Sequence, residues 1–196
     1  MPYNSVSEIF EAIDETHKRL CASVENLNDE QASFRPAPGV WSTAEVVEHL
    51  SIIERQLVQL CGMMLTKTEA GGNARADDAT ANFAPVSIEQ FVEQSRTQKY
   101  ESPEVARPKG EVSLADSLAR MREARVALHA LRPRIERVDA TAAKYPHPAF
   151  GPLDFYQWLA FIAAHEERHL RQIERLKESP GFATADGTAD KISAPN

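Results

Sequence analysis

Four long stretches with a helical spacing of apolar residues constrain the fold of this chain more than any other feature. In each stretch apolar residues recur every three or four positions, which places them on one face of an α-helix. The spacing predicts helices over residues 6–27, 43–66, 113–131 and 155–177, with Pro133 ending or kinking the third. Residues that can cap the first helical turn stand at the four starts, and these are Ser5, Ser42, Ser113 and Asp154.

The segments between these stretches decide how the helices are connected. Residues 28–40 and 145–152 contain prolines and glycines, which end helices and order turns, and no segment shows a convincing strand pattern. Residues 67–112 have no strong period and are long enough for a crossover, so the second and third helices can run parallel. We therefore predict an all-α four-helix bundle with a long crossover between helices 2 and 3, which allows an up-down-down-up topology without requiring it. The predicted domain covers residues 1–178, followed by a small, polar and disordered tail at 179–196.

Composition narrows the classes of partner. The chain has 196 residues and a net charge of -7, and no run of Lys and Arg offers the basic face that neutralises nucleic-acid phosphates. No apolar stretch is long enough to span a bilayer, and the N-terminus does not resemble a signal peptide. Cys21 and Cys61 lie in apolar helical patterns and outside any CxxC pair, as expected of small buried residues. We predict a cytoplasmic protein that binds neither nucleic acid nor membrane.

Two histidines occupy core positions in the fourth predicted helix. Its apolar stripe consists of Phe155, Trp158, Ile162, His165, His169, Ile173 and Leu176. Residues four apart share a helix face and lie about 6 Å from each other along the axis. Burying both imidazoles without partners costs desolvation free energy twice, and protonating both makes them repel. A shared divalent cation removes both penalties, so the pair predicts a metal site, although each histidine can also be a satisfied residue at the core edge.

A third ligand is expected from another helix. His49 lies at the edge of the second helix's apolar stripe, between Val46 and Ile53. It belongs to the first half of that helix, whereas His165 and His169 belong to the middle and later half of theirs. If the two helices are antiparallel, the three side chains lie at similar heights in the bundle.

Residues 165–169 also match the H-E-x-x-H motif, in which zinc proteases place two ligands and a glutamate base on one helix. The extended motif needs a glycine and a third histidine where this chain has Gln172 and Arg175. The strands that form a peptide-binding cleft are also missing from the sequence pattern, so a protease is disfavoured. Glu166 remains a candidate general base, and its alternative is an exposed position that pairs with arginines along the helix.

Several other side chains have candidate roles near such a site. Metal-bound imidazoles normally donate their second N–H to an acceptor, and Gln172 and Glu45 are spaced to serve His169 and His49. Trp41 and Trp158 are expected to be core anchors rather than platforms for a substrate.

Two sequence blocks resemble the DinB-like (DinB/YfiT) superfamily. The first block, 34–50, reads FRPAPGVWSTAEVVEHL, and the second, 147–173, contains HPAFGPL, Trp158-Leu159 and HEERHLRQI. The resemblance implies an up-down-down-up four-helix bundle and a metal site on His49, His165 and His169. Characterised members of that superfamily include metal-dependent transferases that use low-molecular-weight thiols, a maleylpyruvate isomerase and hydrolases. Relatives are often dimers, which leaves a homodimer open.

Three neutral imidazoles leave room for a further ligand and suit Zn, Ni, Fe, Co or Mn. The sequence therefore predicts a metal-dependent enzyme that activates a low-molecular-weight thiol or water against a small electrophile, with Glu166 as base. The segment 67–112 is expected to supply contacts to this small-molecule substrate. The alternative is a metal-binding stress or structural protein without turnover.

Overall fold

The computed structural model describes residues 2–73, 84–89, 92 and 104–182. In this part of the chain the helices are α1 Val6–Val24, α2 Asp29–Ser33, α3 Thr43–Ala70, α4 Leu114–Ile135 and α5 Phe155–Lys177. A 3-10 turn at Glu104–Ala106 lies in the crossover, and the strands β1 Lys144–His147 and β2 Gly151–Asp154 pair antiparallel before α5. None of the described helices is long and apolar enough to cross a membrane. Most of the predicted tail, from residue 183 onward, lies outside the described residues.

Contacts between side chains give the helix directions. Helices α1 and α5 are parallel, because residue numbers rise together along their contacts, from His17–Glu166 to Ser23–Lys177. Helices α3 and α4 are parallel for the same reason, with the contacts Glu54–Arg125 and Glu69–Arg134. Asp14–His129 and Ser7–Arg132 show that α1 and α4 are antiparallel. Helix α5 packs against both α1 and α3. The order is therefore up-down-down-up, and the predicted four-helix bundle is confirmed.

The helix starts follow local hydrogen bonding. The side chains of Ser5, Ser42, Ser113 and Asp154 each accept a hydrogen bond from a backbone N–H in the first turn of α1, α3, α4 and α5. Pro133 was expected to end or kink the third helix, and α4 runs past it and ends two residues later, at Ile135. Pro133 lies in the last turn, where the missing N–H removes a single helical hydrogen bond.

Two short elements were not predicted. Helix α2 is capped by Asn28, whose side chain accepts from the backbone of Gln31, but five residues are too few to show an apolar stripe. The β1–β2 hairpin lies where the sequence predicted only a rigid connection. Pro146 pairs with Pro152 in this hairpin, so the strands lack the alternating β-formers that mark a strand in sequence.

A network of buried charges joins the four long helices, with one residue from each. Arg125 Nη2 on α4 lies 2.5 Å from Glu54 Oε1 on α3 and 3.1 Å from Glu166 Oε2 on α5. Glu166 Oε1 is 2.8 Å from His17 Nδ1 on α1. Burial raises the pKa of Glu54 to about 7, against the opposing charge of Arg125. Removing one partner from such a network leaves an uncompensated buried charge, which typically costs about 3–5 kcal/mol.

The protonation of His17 depends on its two neighbours in this network. Burial alone would lower its pKa, but hydrogen bonds to Cys21 Sγ, at 3.6 Å, and to Glu166, together with the carboxylate charge, raise the pKa to about 9. The imidazole is therefore charged at neutral pH and offsets the charge of Glu166. Cys21 is half-buried beside it, whereas Cys61 is fully buried as predicted.

We expect the substitution His17→Gln to destabilise the protein most at acidic to neutral pH. The folded-state pKa of about 9 exceeds the ordinary value of 6.5, so the stabilisation is fully present below pH 6.5 and is lost as the pH rises through about 9. Urea unfolding between about pH 6 and pH 10 measures the difference in the free energy of unfolding. His129→Gln, which removes an exposed pair with Asp14, is the control. A deficit that grows with pH would contradict the charged state of His17.

Candidate metal centre

The packing of α3 against α5 brings the three predicted histidines together. His49 lies in the second turn of α3, and His165 and His169 lie in the middle of α5. One ring nitrogen of each histidine lies within 4.8 Å of the others. The ring centroids are 5.3 Å apart for His49 and His165, 4.9 Å for His49 and His169, and 4.6 Å for His165 and His169. As expected from the sequence, the antiparallel helices α3 and α5 place the three histidines at the same level of the bundle.

Hydrogen bonds orient two of the rings. His49 Nδ1 is 2.6 Å from the carbonyl oxygen of Ala106, and His169 Nδ1 is 2.9 Å from Gln172 Oε1. A carbonyl oxygen can only accept, so each Nδ1 carries the proton and each Nε2 keeps a lone pair. That lone pair is the donor a metal ion needs, and the Nδ1–H bond is the usual partner of a ligating histidine.

The predicted acceptors are correct for one histidine and wrong for the other. Gln172 accepts from His169 as expected. Glu45 does not contact His49. Its carboxylate accepts a hydrogen bond from the backbone N–H of Ser42 at 2.8 Å, which caps α3, and it also pairs with Arg35 at 2.8 Å. The acceptor is instead a backbone carbonyl of the crossover, and no side-chain pattern can reveal a backbone group.

The three imidazoles are held neutral. Burial lowers the pKa of all three, to about 3 at His169 and well below its usual value at His165. The positive charge of Arg168 lowers the three pKa values further. A neutral imidazole is the form that ligates metals, so no proton has to be displaced near neutral pH. Converging, neutral and oriented nitrogen donors fit a divalent transition metal ion.

A cavity of about 910 Å³ opens beside the histidines. Its apolar wall comes from α3, α5, the hairpin and the crossover, and includes Ile53, Leu57, Leu60, Val105, Phe150 and Phe161. Trp158 lines it while also packing in the core, and Trp41 lines it with its ring centroid 5.1 Å from that of His49. The tryptophans, expected to be core anchors alone, therefore also border the cavity. Its size is typical of a small-molecule site.

The crossover is tied to α3 at the metal site. Glu48 is 3% exposed, and its carboxylate accepts from the backbone N–H groups of Lys109, at 3.1 Å, and Gly110, at 2.8 Å. The neighbouring His49 binds Ala106 of the same segment. Glu48 is thus a supporting residue that the sequence reasoning missed. The only available signal was an acidic residue beside a candidate ligand on the apolar side of a helix.

Glu166, the predicted general base, has its carboxylate engaged elsewhere. The residue is 2% exposed, both of its carboxylate oxygens contact the charge network described above, and it is not among the described residues that line the cavity. Acting as a base at the metal would require these contacts to break. Its catalytic role stays a prediction, and the structure gives it a place in the bundle core.

We expect His49→Ala to abolish tight metal binding because it removes one of three converging donors. Plasma mass spectrometry after dialysis against Zn, Ni, Fe, Co or Mn measures the metal content per chain. The exposed His129, which pairs with Asp14, supplies the control variant His129→Ala. Stoichiometric metal in His49→Ala would show that the ion is held elsewhere.

We expect Gln172→Leu to weaken metal affinity by roughly 10–100-fold while leaving a folded protein, because His169 loses the acceptor that orients its ring. Competition with a chromogenic chelator gives the affinity. Gln56 also lines the cavity and makes no hydrogen bond to the three imidazoles, so Gln56→Leu is the matched control. Equal losses in the two variants would mean that the hydrogen bond to His169 does not support binding.

Known proteins resemble this chain in sequence and in fold. The uncharacterized protein YuaE of Bacillus subtilis (strain 168) is 28% identical over 159 residues, which cover 79% of this chain and 88% of that protein. The solved structure of TT2238, a four-helix bundle protein, matches with a TM-score of 0.55 and 19% identity, over 87% of this chain and 99% of that one. YfiT from Bacillus subtilis matches with a TM-score of 0.55 and 18% identity, over 93% of this chain and 94% of that one.

YfiT is described as a probable metal-dependent hydrolase with an unusual four-helix bundle topology. At these identities the two structural likenesses show the fold alone. The sequence pattern of the DinB superfamily matches residues 12–173, a span that contains α3, most of α5 and all three histidines. This chain belongs to the DinB superfamily.

Proposed function

We propose that this protein is a metal-dependent enzyme that activates a low-molecular-weight thiol or water against a small electrophile. His49, His165 and His169 would hold the divalent ion. The observation that carries the proposal is the convergence of three neutral imidazoles at one side of a cavity of about 910 Å³. The description of YfiT as a probable metal-dependent hydrolase supports it.

The residues around the site suit this chemistry. A bound divalent ion supplies Lewis acidity, which lowers the pKa of a thiol or water that reaches it. The chain contributes the hydrogen bonds from His49 to Ala106 and from His169 to Gln172, which hold the rings in place. The side chains of Trp41 and Phe161 pack beside the site, with ring centroids 5.1 Å and 5.5 Å from those of His49 and His165, and give its surroundings an apolar character.

The cavity favours this proposal over a metal-binding protein without turnover. A structural metal site is normally closed by its protein ligands, whereas a catalytic site keeps a position open. Here all three histidines border the cavity, so a small molecule that enters it reaches the imidazoles. Residues from the segment 67–112, namely Ile88, Val92, Val105, Ala106 and Arg107, supply part of that border.

The test begins with metal analysis of protein purified without an affinity tag or added metal. The protein is then loaded with Zn, Ni, Fe, Co or Mn and assayed in two arms: consumption of cysteine or glutathione by a chloronitrobenzene, and hydrolysis of a nitrophenyl ester. We expect one arm to show turnover that falls on the order of a hundredfold or more in His169→Ala and is unchanged in His129→Ala.

Each result has a defined meaning. Stoichiometric metal without turnover in either arm would favour the non-catalytic alternative. A chain that takes up none of the five metals would sink the proposal, because the proposed chemistry depends on the ion. Turnover that survives in His169→Ala would place the reaction outside the three-histidine centre.

A further inference from the structure

The charges that line the cavity are positive. Arg107 from the crossover and Arg168 from α5 are the charged side chains among the described lining residues, apart from the histidines, and no carboxylate lines it there. The chain as a whole carries a net charge of -7. A positive cavity in an acidic protein departs from the average of its own surface and points to the charge of what enters.

Arg168 stands close to the metal site. It follows His165 by three positions, so the two residues are neighbours on the surface of α5, and both line the cavity. Its charge contributes to lowering the pKa of all three imidazoles. Arg107 directly follows Ala106, whose carbonyl binds His49. Both arginines line the cavity together with the three histidines.

Charge balance then favours an anion. On the proposed function a divalent ion held by the three histidines would add two positive charges to a cavity that Arg107 and Arg168 also line, and like charges in a partly buried site repel strongly. An anionic ligand offsets this repulsion. Both arginines also interact with other groups of the chain, but a guanidinium has five N–H donors and can hold a carboxylate as well.

The rest of the cavity is apolar and rich in rings. Phe161 contacts His165 on one side and His147 on the other, with centroid distances of 5.5 Å and 4.9 Å. Phe150 stacks on His147 at 4.5 Å, and Trp158 lies 5.9 Å from Phe161. Burial lowers the pKa of His147 to about 4, so this ring adds no charge. The wall thus continues from the metal site as an uncharged aromatic surface that suits a flat apolar body.

We propose that the cavity binds an organic carboxylate with an aromatic or similarly apolar body, its carboxylate held by Arg168 beside the three histidines and its body on the Phe161 wall. This assignment rests on the proposed function and names the class of its electrophilic substrate. A phosphate ester fits less well, because phosphate sites usually offer a cluster of backbone N–H groups or hydroxyls. The described lining contains no serine or threonine.

The experiment measures binding rather than turnover, so it does not depend on the reaction. The probes are 2-naphthoate, its neutral analogue 2-naphthamide, and 2-naphthyl phosphate, titrated by calorimetry into chelator-treated and Zn-loaded protein. We expect 2-naphthoate to bind about tenfold or more tightly than the amide even without metal, and Arg168→Gln to lose most of that preference.

Arg171→Gln is the matched control, because Arg171 lies on the same helix, pairs with Glu167 and does not line the cavity. It should keep the preference. Arg168→Lys retains the charge without the two-pronged geometry and should fall between Arg168→Gln and the unaltered protein. Circular dichroism establishes that each variant is folded, and the comparison of acid with amide on the unaltered protein needs no variant.

Equal binding of acid and amide, or equal losses in Arg168→Gln and Arg171→Gln, would overturn the inference. So would a preference that appears only with Zn and survives in Arg168→Gln, since the ion alone would then hold the carboxylate, and so would tighter binding of the phosphate. A chain that takes up metal through its histidines but shows no acid preference refutes this inference and leaves the proposed function standing. If the chain takes up no metal but still binds the carboxylate through Arg168, the proposed function is refuted and this inference stands.

Discussion

The rotation of α5 about its own axis is the constraint on which the site depends. Adjacent helical residues point about 100° apart. His165 faces α3 and the cavity, and the next residue, Glu166, faces α1 and α4, where His17 and Arg125 hold its carboxylate. A turn of α5 by one residue would break both arrangements. The buried charge network and the three-histidine centre are therefore two consequences of a single helix orientation.

A second constraint acts through the crossover. Consecutive residues of α3, Glu48 and His49, bind the segment from Ala106 to Gly110 through its backbone. The same segment contributes Val105, Ala106 and Arg107 to the cavity wall. The orientation of the His49 ring and the position of that wall are thus coupled, because the hydrogen bond from His49 to Ala106 fixes both. A displacement of the crossover would turn the His49 ring as well.

Charge is distributed in opposite ways on the two sides of α5. In the core, the carboxylates of Glu54 and Glu166 are matched by Arg125 and by a protonated His17. On the cavity side the imidazoles are neutral, and no carboxylate stands among the described lining residues. The charged groups in the core are paired with one another, and these pairs belong to the packing of the bundle. The second side has imidazole lone pairs directed toward a cavity that two arginines also line, which suits it to binding a ligand.

Local physical chemistry accounts for what could be predicted from the sequence. Helix starts at Ser5, Ser42, Ser113 and Asp154 depend on a side chain and the next turn of backbone, so they are readable without the fold. The His165 and His169 pair could be recognised because helical periodicity places both on the apolar stripe. His49 could be recognised because an antiparallel helix would place it at the same level of the bundle as that pair. Short elements such as the β1–β2 hairpin escaped, because four residues with paired prolines carry no period.

The sequence by itself determined the four long helices and the three histidines, because helical periodicity and capping act over a few residues. Only the tertiary structure decided the partners. It replaced Glu45 with the carbonyl of Ala106, joined Glu166 to Arg125 and His17, and brought Arg168 and the crossover to the same cavity. These contacts join residues far apart in the chain, and several use backbone groups, which are the same at every position. Such pairings become definite only when packing fixes the rotation and register of the helices.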